Sequence, residues 1–318
     1  MTAGRQAPAT AFHKVVLIVF LLAFLPFLSG CSPFSKLSKT TQKITRDLTG
    51  RSDKYKKKVA ITLFENKTFL DTAFFQKQFH RELTANIEKA CPENIFLKPG
   101  DPIFPVFLSS PPLQPSGQID NFALATSARK LGINATVFGD LISIKTNQRM
   151  KGFMWFKEAK PMVKLNLAAR AYDSETAAIL FDETFEQEFE VDEAVLEQVQ
   201  NRKLTDPERF KEPFKRLIAS ISEKICDEIS AQPWKGYIIS VAGDKVVLSS
   251  GRDSKILLGD VLEVYNSGDT IEGMEGLKFY LPGGKSGEVK ISGIFANRSE
   301  AVILSGKDIK PGSVVKPR

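Results

Sequence analysis

Val59-Ala60-Ile61-Thr62-Leu63-Phe64-Glu65-Asn66-Lys67-Thr68, with Asp71 behind it and apolar residues at Phe75, Phe79, Leu83 and Ile87, decides the fold. The first six residues form a short apolar run rich in β-branched side chains, which predicts a buried strand ending in a turn. Asp71 is a good N-cap. A repeat of four through Ile87 puts one apolar stripe on a helix that Pro92 stops. A buried strand followed at once by an amphipathic helix is the opening of a layered α/β unit.

The same alternation continues outward. Ile95-Phe96-Leu97 reads as a second strand, and the seven prolines between 92 and 118 make most of that stretch loop. Asp120 caps a helix with Leu124, Ala128 and Leu131, and Gly132 stands at its C′ position. Asn134–Ile144 reads as a long strand. Val163, Leu165, Leu167, Ala169 and Ala171 alternate with Lys164, Asn166, Arg170 and Tyr172, the mark of a half-buried strand. A turn at 173–176 leads to a return strand with Ile179, Phe181, Phe185 and Phe189 on one face. A last amphipathic helix carries Phe210, Phe214, Leu217, Ile218, Ile221, Ile225 and Ile229. The order β-α-β-α-β-β-β-α predicts an α+β mixed sheet with helices packed on it, spanning residues 58–231.

Three stretches carry a resemblance. Val59 to Thr68, the helix-to-strand passage Ala128–Gly139 and the hairpin Ala171–Leu180 resemble the TolB-amino-terminal-like domains, although a Gly is usual near Ala177. That group includes the curli secretion lipoprotein, lipoprotein activators of penicillin-binding proteins and the middle domain of flagellar assembly protein T.

From Trp234 to Arg318 glycines become frequent and short strands alternate with turns. Val246-Val247-Leu248-Ser249-Ser250-Gly251, followed by Leu258-Gly259-Asp260-Val261, is echoed by Ala301-Val302-Ile303-Leu304-Ser305-Gly306, followed by Pro311-Gly312-Ser313-Val314. This predicts a small all-β barrel over 234–318, with further strands at Tyr237–Val241 and Gly287–Ile294. The domain order is similar to flagellar assembly protein T, whose carboxy-terminal domain it resembles. Gly283-Gly284-Lys285-Ser286-Gly287 lacks the spacing and following helix of a phosphate loop and reads as a hairpin turn.

The start of the chain reads as a signal. Arg5 and Lys14 precede an apolar block of 14 residues, Val15–Leu28, which ends in Ser29-Gly30-Cys31. A basic start, a short apolar core and small residues at the end form a secretory signal, too short to span a bilayer. Leu28-Ser29-Gly30-Cys31 resembles the lipobox of bacterial lipoproteins. The resemblance implies removal of residues 1–30 and lipidation of Cys31 as a membrane anchor. With Ser32 rather than Asp next, it also implies an outer-membrane location facing the periplasm.

The net charge of +7 would suggest nucleic acid if it were spread over a folded surface, but it is local. Residues 32–58 hold nine Lys or Arg and two Asp, while residues 59–318 hold 33 basic and 35 acidic groups. The excess sits in a polar tether at 31–57, where it can meet anionic head groups, so nucleic acid is not an expected partner. His80 is the only histidine beyond the signal, and it falls on an amphipathic helix as a surface or boundary residue. One His with Cys91 and Cys226 falls short of a zinc site, and no metal or other cofactor is expected. In an oxidising compartment, Cys91 and Cys226 are a candidate disulfide. Glu183, Glu186, Glu188 and Glu190 crowd one strand, with several on a solvent face, and nothing singles out an opposed pair for glycan hydrolysis. No catalytic residue is assigned.

Between two strands lies Met150-Lys151-Gly152-Phe153-Met154-Trp155-Phe156-Lys157, dense in residue types enriched at interaction cores. Phe153, Met154, Trp155 and Phe156 are therefore candidate partner-binding residues, the alternative being an arm folded onto its own domain. A membrane-crossing hairpin needs strands of about 9–11 alternating residues, and this stretch reads as too short and irregular for one. The expectation is a non-catalytic outer-membrane lipoprotein, an assembly or scaffold component of flagellar or secretion type with an envelope protein partner. An activator of a peptidoglycan synthase is the alternative and a glycan-acting enzyme the third reading. The flagellar group normally carries a further amino-terminal domain, in whose place this chain has an anchor and tether.

Overall fold

The structure, a computed structural model, describes residues 54–318 apart from Met154. The signal, Cys31 and most of the basic tether lie outside the described residues. The chain forms β1 (Lys58–Ile61), β2 (Glu65–Asn66), α1 (Thr72–Ala90), β3 (Ile95–Leu97), the short helix α2 (Val106–Ser109) and α3 (Asn121–Lys130). It continues with β4 (Ile133–Phe153), β5 (Phe156–Asp173), β6 (Ile179–Glu190), α4 (Glu193–Gln200) and α5 (Lys211–Ala231). Six strands follow: β7 (Gly236–Ala242), β8 (Lys245–Leu248), β9 (Val261–Glu272), β10 (Lys278–Ile294), β11 (Ser299–Gly306) and β12 (Val314–Pro317).

The first sheet runs β3-β1-β4-β5-β6, with β2 beside β4. β1 is parallel to β3 and β4, and β4, β5 and β6 are antiparallel. This is the expected α+β mixed sheet. Alternation sorts its side chains. Val137, Leu165, Ala169 and Phe181 face α1 and α5, whose Phe75, Phe79, Phe214 and Ile218 complete the main core. Tyr172 and Phe138 face the other way, toward α3 and the proline-rich loop. Asp71 and Asp120 cap α1 and α3 as expected, each accepting a backbone N–H from the first turn. Cys91 ends α1 and is joined to Cys226 on α5, with Cα atoms 5.8 Å apart.

The second unit is a closed barrel in the order β10-β11-β8-β7-β12-β9. Closure leaves no sheet edge open, and Trp234, Ile238, Leu262, Val289 and Val315 fill the interior. Two sequence readings need correction here. Gly283–Gly287 is not a turn: it lies inside β10, where register shifts mark a bulged strand against β9. Glycine serves close approach there, since a Cβ at Gly283 would strike the Asn266 carbonyl. The basic stretch also stops being a tether before residue 57. Tyr55 is buried against Trp234, with ring centroids 4.7 Å apart, and its hydroxyl donates to Asp260 at 2.9 Å.

A buried polar clamp joins sheet and barrel around the β5–β6 turn. Lys235 Nζ meets Asp173 Oδ1 and Glu175 Oε2, both at 2.9 Å, and Lys316 reaches Glu175 Oε1 at 2.8 Å. Burial pulls the Lys235 pKa down, but Asp173 and Glu175 outweigh it and hold the ammonium above its ordinary value. Arg129 on α3 donates to the carbonyls of Ser174 and Glu175 and lies 3.7 Å from the Tyr280 ring. Asn121 donates to the carbonyls of Ala177 and Lys278, bridging the turn to β10. Ala177 is fully buried with φ of 62°, so an L side chain stands in a left-handed conformation that glycine takes more readily.

Candidate functional site

β4 and β5 run on together past the rest of the sheet. Their pairing continues without a break from Asn147↔Met162 to Phe153↔Phe156, whereas β6 reaches only as far as Glu190↔Met162. The last six residues of β4 and their partners therefore form a two-stranded arm beyond the edge of β6, about 20 Å long at roughly 3.4 Å per residue. This corrects the reading of an irregular loop. The polar run Asn147-Gln148-Arg149 and the interruptions Gly152 and Pro161 hide a strand signal that cross-strand pairing supplies.

Ion pairs fasten the base of the arm to β6. Arg149 meets Glu188, Asn147 Nδ2 donates to Glu188 Oε1 at 2.7 Å, and Lys151 Nζ meets Glu190 Oε2 at 2.6 Å. Lys151 holds the Glu190 carboxyl below its ordinary pKa. The four glutamates of this strand are thus engaged with cations: Glu186 pairs with Lys164, and Glu183, on the opposite face, pairs with Lys224 of α5.

At the tip, Phe153 is 78% exposed and Trp155 87% exposed. Met154 lies outside the described residues, and Phe156 is placed by its backbone pairing with Phe153. The arm does not fold back: Phe153 and Trp155 stand in solvent, and Met150, three residues earlier on β4, is 60% exposed. Single exposed apolar residues are ordinary, but aromatic rings gathered on the end of a stalk fit a contact surface.

A second feature went unnoticed in the sequence. On the sheet face opposite α1 and α5, a cleft of about 540 Å³ opens between the strands and the proline-rich loop. Thr62, Leu63, Glu65 and Lys67 line it from the segment after β1, and Phe138, Asp140, Ala168, Arg170 and Asp182 from the sheet. Lys67 pairs with Asp140 at 3.0 Å, and Arg170 pairs with Asp182. These residues come from four separate segments, so no local motif announces them.

His80 sits half-buried on α1, and both its ring nitrogens are buried without a hydrogen-bond partner. Burial first, then Lys98, lowers its pKa, so the ring is neutral at pH 7. Among the described residues no cluster of His, Cys, Asp and Glu is arranged to hold a metal ion, and no helix is long and apolar enough to cross a membrane.

No family model matches this chain, and no curated protein matches it. Solved structures similar to it include the hypothetical protein CT253 from Chlamydia trachomatis, 14% identical, covering 56% of this chain and 99% of that one at a TM-score of 0.36. Lipoprotein GNA1162 from Neisseria meningitidis is 8% identical, covering 46% of this chain and 93% of that one at 0.28. TolB from Acinetobacter baumannii is 9% identical, covering 79% of this chain and 60% of that one at 0.27. Likeness this remote carries no argument about activity.

Proposed function

We propose that this chain is a non-catalytic lipoprotein of the bacterial outer membrane, anchored through Cys31, which serves as an assembly or scaffold component by docking an envelope protein with its β4–β5 arm. The arm is the observation that carries this reading. A stalk about 20 Å long, latched at its base by Arg149–Glu188 and Lys151–Glu190, presents Phe153 and Trp155 away from the core. Rigid aromatic side chains lose little conformational entropy on burial and dominate interface energetics. The lipobox-like run supports the anchor, and the cationic stretch behind it suits an anionic lipid surface. The flagellar or secretion role rests on the sequence resemblance.

The test is in-cell crosslinking of the full chain against a Phe153→Ser/Trp155→Ser variant, read by mass spectrometry. Flagellar or secretion-ring components recovered with the native protein and lost with the variant support the proposal. Recovery of a peptidoglycan synthase instead makes the protein an activator. Equal recovery of the same partners by both proteins removes the arm from the account.

A further inference from the structure

The cleft opposite α1 and α5 lies where the chain's path reverses. β1 and β3 are neighbouring parallel strands, yet the chain leaves them toward opposite faces. After β1 it passes to α1, which packs on the main core face; after β3 it passes through the proline-rich loop to α3, on the other face. Connections that diverge in this way leave a crevice beyond the carboxyl ends of the strands, the usual place for a ligand in such sheets. The cleft is lined by residues that follow β1 and residues that follow β3.

Its walls are set before any ligand arrives. Leu108 is buried, Phe104 and Ile119 pack on the second core cluster, and an isolated bridge between Leu113 and Ile119 closes the loop on itself. The floor is low at Ala168, which stands opposite Asp140 on β4 and Thr184 on β6. Leu63 and Leu113 remain 43% and 59% exposed at the rim. A volume of about 540 Å³, lined by polar and apolar groups in similar measure, has room for a compact organic ligand.

The charges narrow its chemistry. Lys67 and Arg170 are each matched by an aspartate, while Glu65 is exposed and makes no ion pair among the described residues. The balance of these five groups is one negative charge, and two ion pairs beside an apolar wall supply donors and acceptors for amides. We infer that this cleft binds a short peptide segment that sets an aliphatic side chain against Leu63 and Leu113 and a lysine or arginine toward Glu65. The inference is independent of the arm and of the partner docked there.

The experiment titrates the detergent-solubilised full chain into dansyl-Leu-Leu-Lys-amide and its Gln and Glu counterparts, followed by fluorescence anisotropy. Saturable binding is expected, with the Lys peptide held about threefold more tightly than the Gln peptide, as one part-exposed charge pair allows. Glu65→Gln should erase that preference, and Ala168→Phe should abolish binding of both. Leu113→Asp, at an exposed position, should weaken both peptides without touching the core. No saturable binding by millimolar protein overturns the inference. So does binding indifferent to Ala168→Phe and Leu113→Asp in chains of unchanged melting temperature, or a preference for the Glu peptide.

Discussion

Two long hairpins leave this molecule, and they end differently. β9–β10 rises from the barrel and lays its aromatic side chain on α3: Tyr280 stacks on Phe122 with centroids 4.3 Å apart, its hydroxyl meets Thr126 at 2.6 Å, and Arg129 lies over its ring. β4–β5 rises from the sheet and leaves Phe153 and Trp155 uncovered. The first hairpin shows what an aromatic arm does in this protein when a receiving surface is present: it joins the barrel to a helix of the sheet. The second has the same build without a receiving surface among the described residues, and that contrast is the strongest reason to look for one elsewhere.

The largest loss of stability is expected at the clamp beneath the first hairpin. Lys235→Met takes from Asp173 and Glu175 the cation they share and leaves Lys316 as the ion-pair partner of Glu175, with the Asp173 carboxylate held, among the described residues, only by Thr176. Removing one partner of a buried ion pair costs about 3–5 kcal/mol, so a loss of that size is expected in urea denaturation. If barrel and sheet then unfold in separate steps, the clamp is what couples them. Tyr280→Ala is next. It removes a stacked ring, a cation–π contact and a hydroxyl contact, and a loss of about 2 kcal/mol is expected in the same assay.

pH sharpens the contrast from the alkaline side. The Lys235 pKa is raised in the folded protein, so its contribution is complete below its unfolded value of 10.5 and fades as pH rises through the folded value. Burial raises Tyr237 well above 10.0, so above that pH the unfolded phenol ionises first and folding weakens further. Thermal melting scanned above pH 10 should therefore show falling stability. Lys235→Met should flatten only the part due to the lysine and leave the Tyr237 part in place. A melting temperature level to pH 12 would remove both groups from the account.

How much of this was legible depended on whether the signal was local. The apolar spacing of Phe75, Phe79, Leu83 and Ile87, the caps Asp71 and Asp120, and the alternation from Val163 to Tyr172 all act within a few residues, and each corresponds to an element of the structure. The glycine-marked repeats of the second half correspond to strands of the closed barrel for the same reason. The arm was half legible: its aromatic tip stood out by composition, but its strands did not, because Asn147, Gln148 and Arg149 have little strand preference and are held by Glu188 and β5 from outside. α4 went unread, being eight residues long with three buried apolar positions. The clamp and the cleft were invisible, since Arg129, Glu175, Lys235 and Tyr280, like Glu65, Ala168 and Arg170, meet only once the chain has folded.

The smallest expected effect bears on the second hairpin. Phe153 and Trp155 are nearly as exposed in the fold as in an unfolded chain, so replacing both with Ser should shift stability by no more than about 0.5 kcal/mol. The chain has two tryptophans, and the other, Trp234, is buried in the barrel. The variant should therefore lose the long-wavelength, water-exposed part of the emission and keep the buried part. A loss of stability comparable to that of Tyr280→Ala would mean that the tip already rests on its own chain, and the difference between the two hairpins would disappear. An unchanged melt, with only the exposed emission gone, leaves the β4–β5 arm as a surface whose side chains do nothing for the fold that displays them.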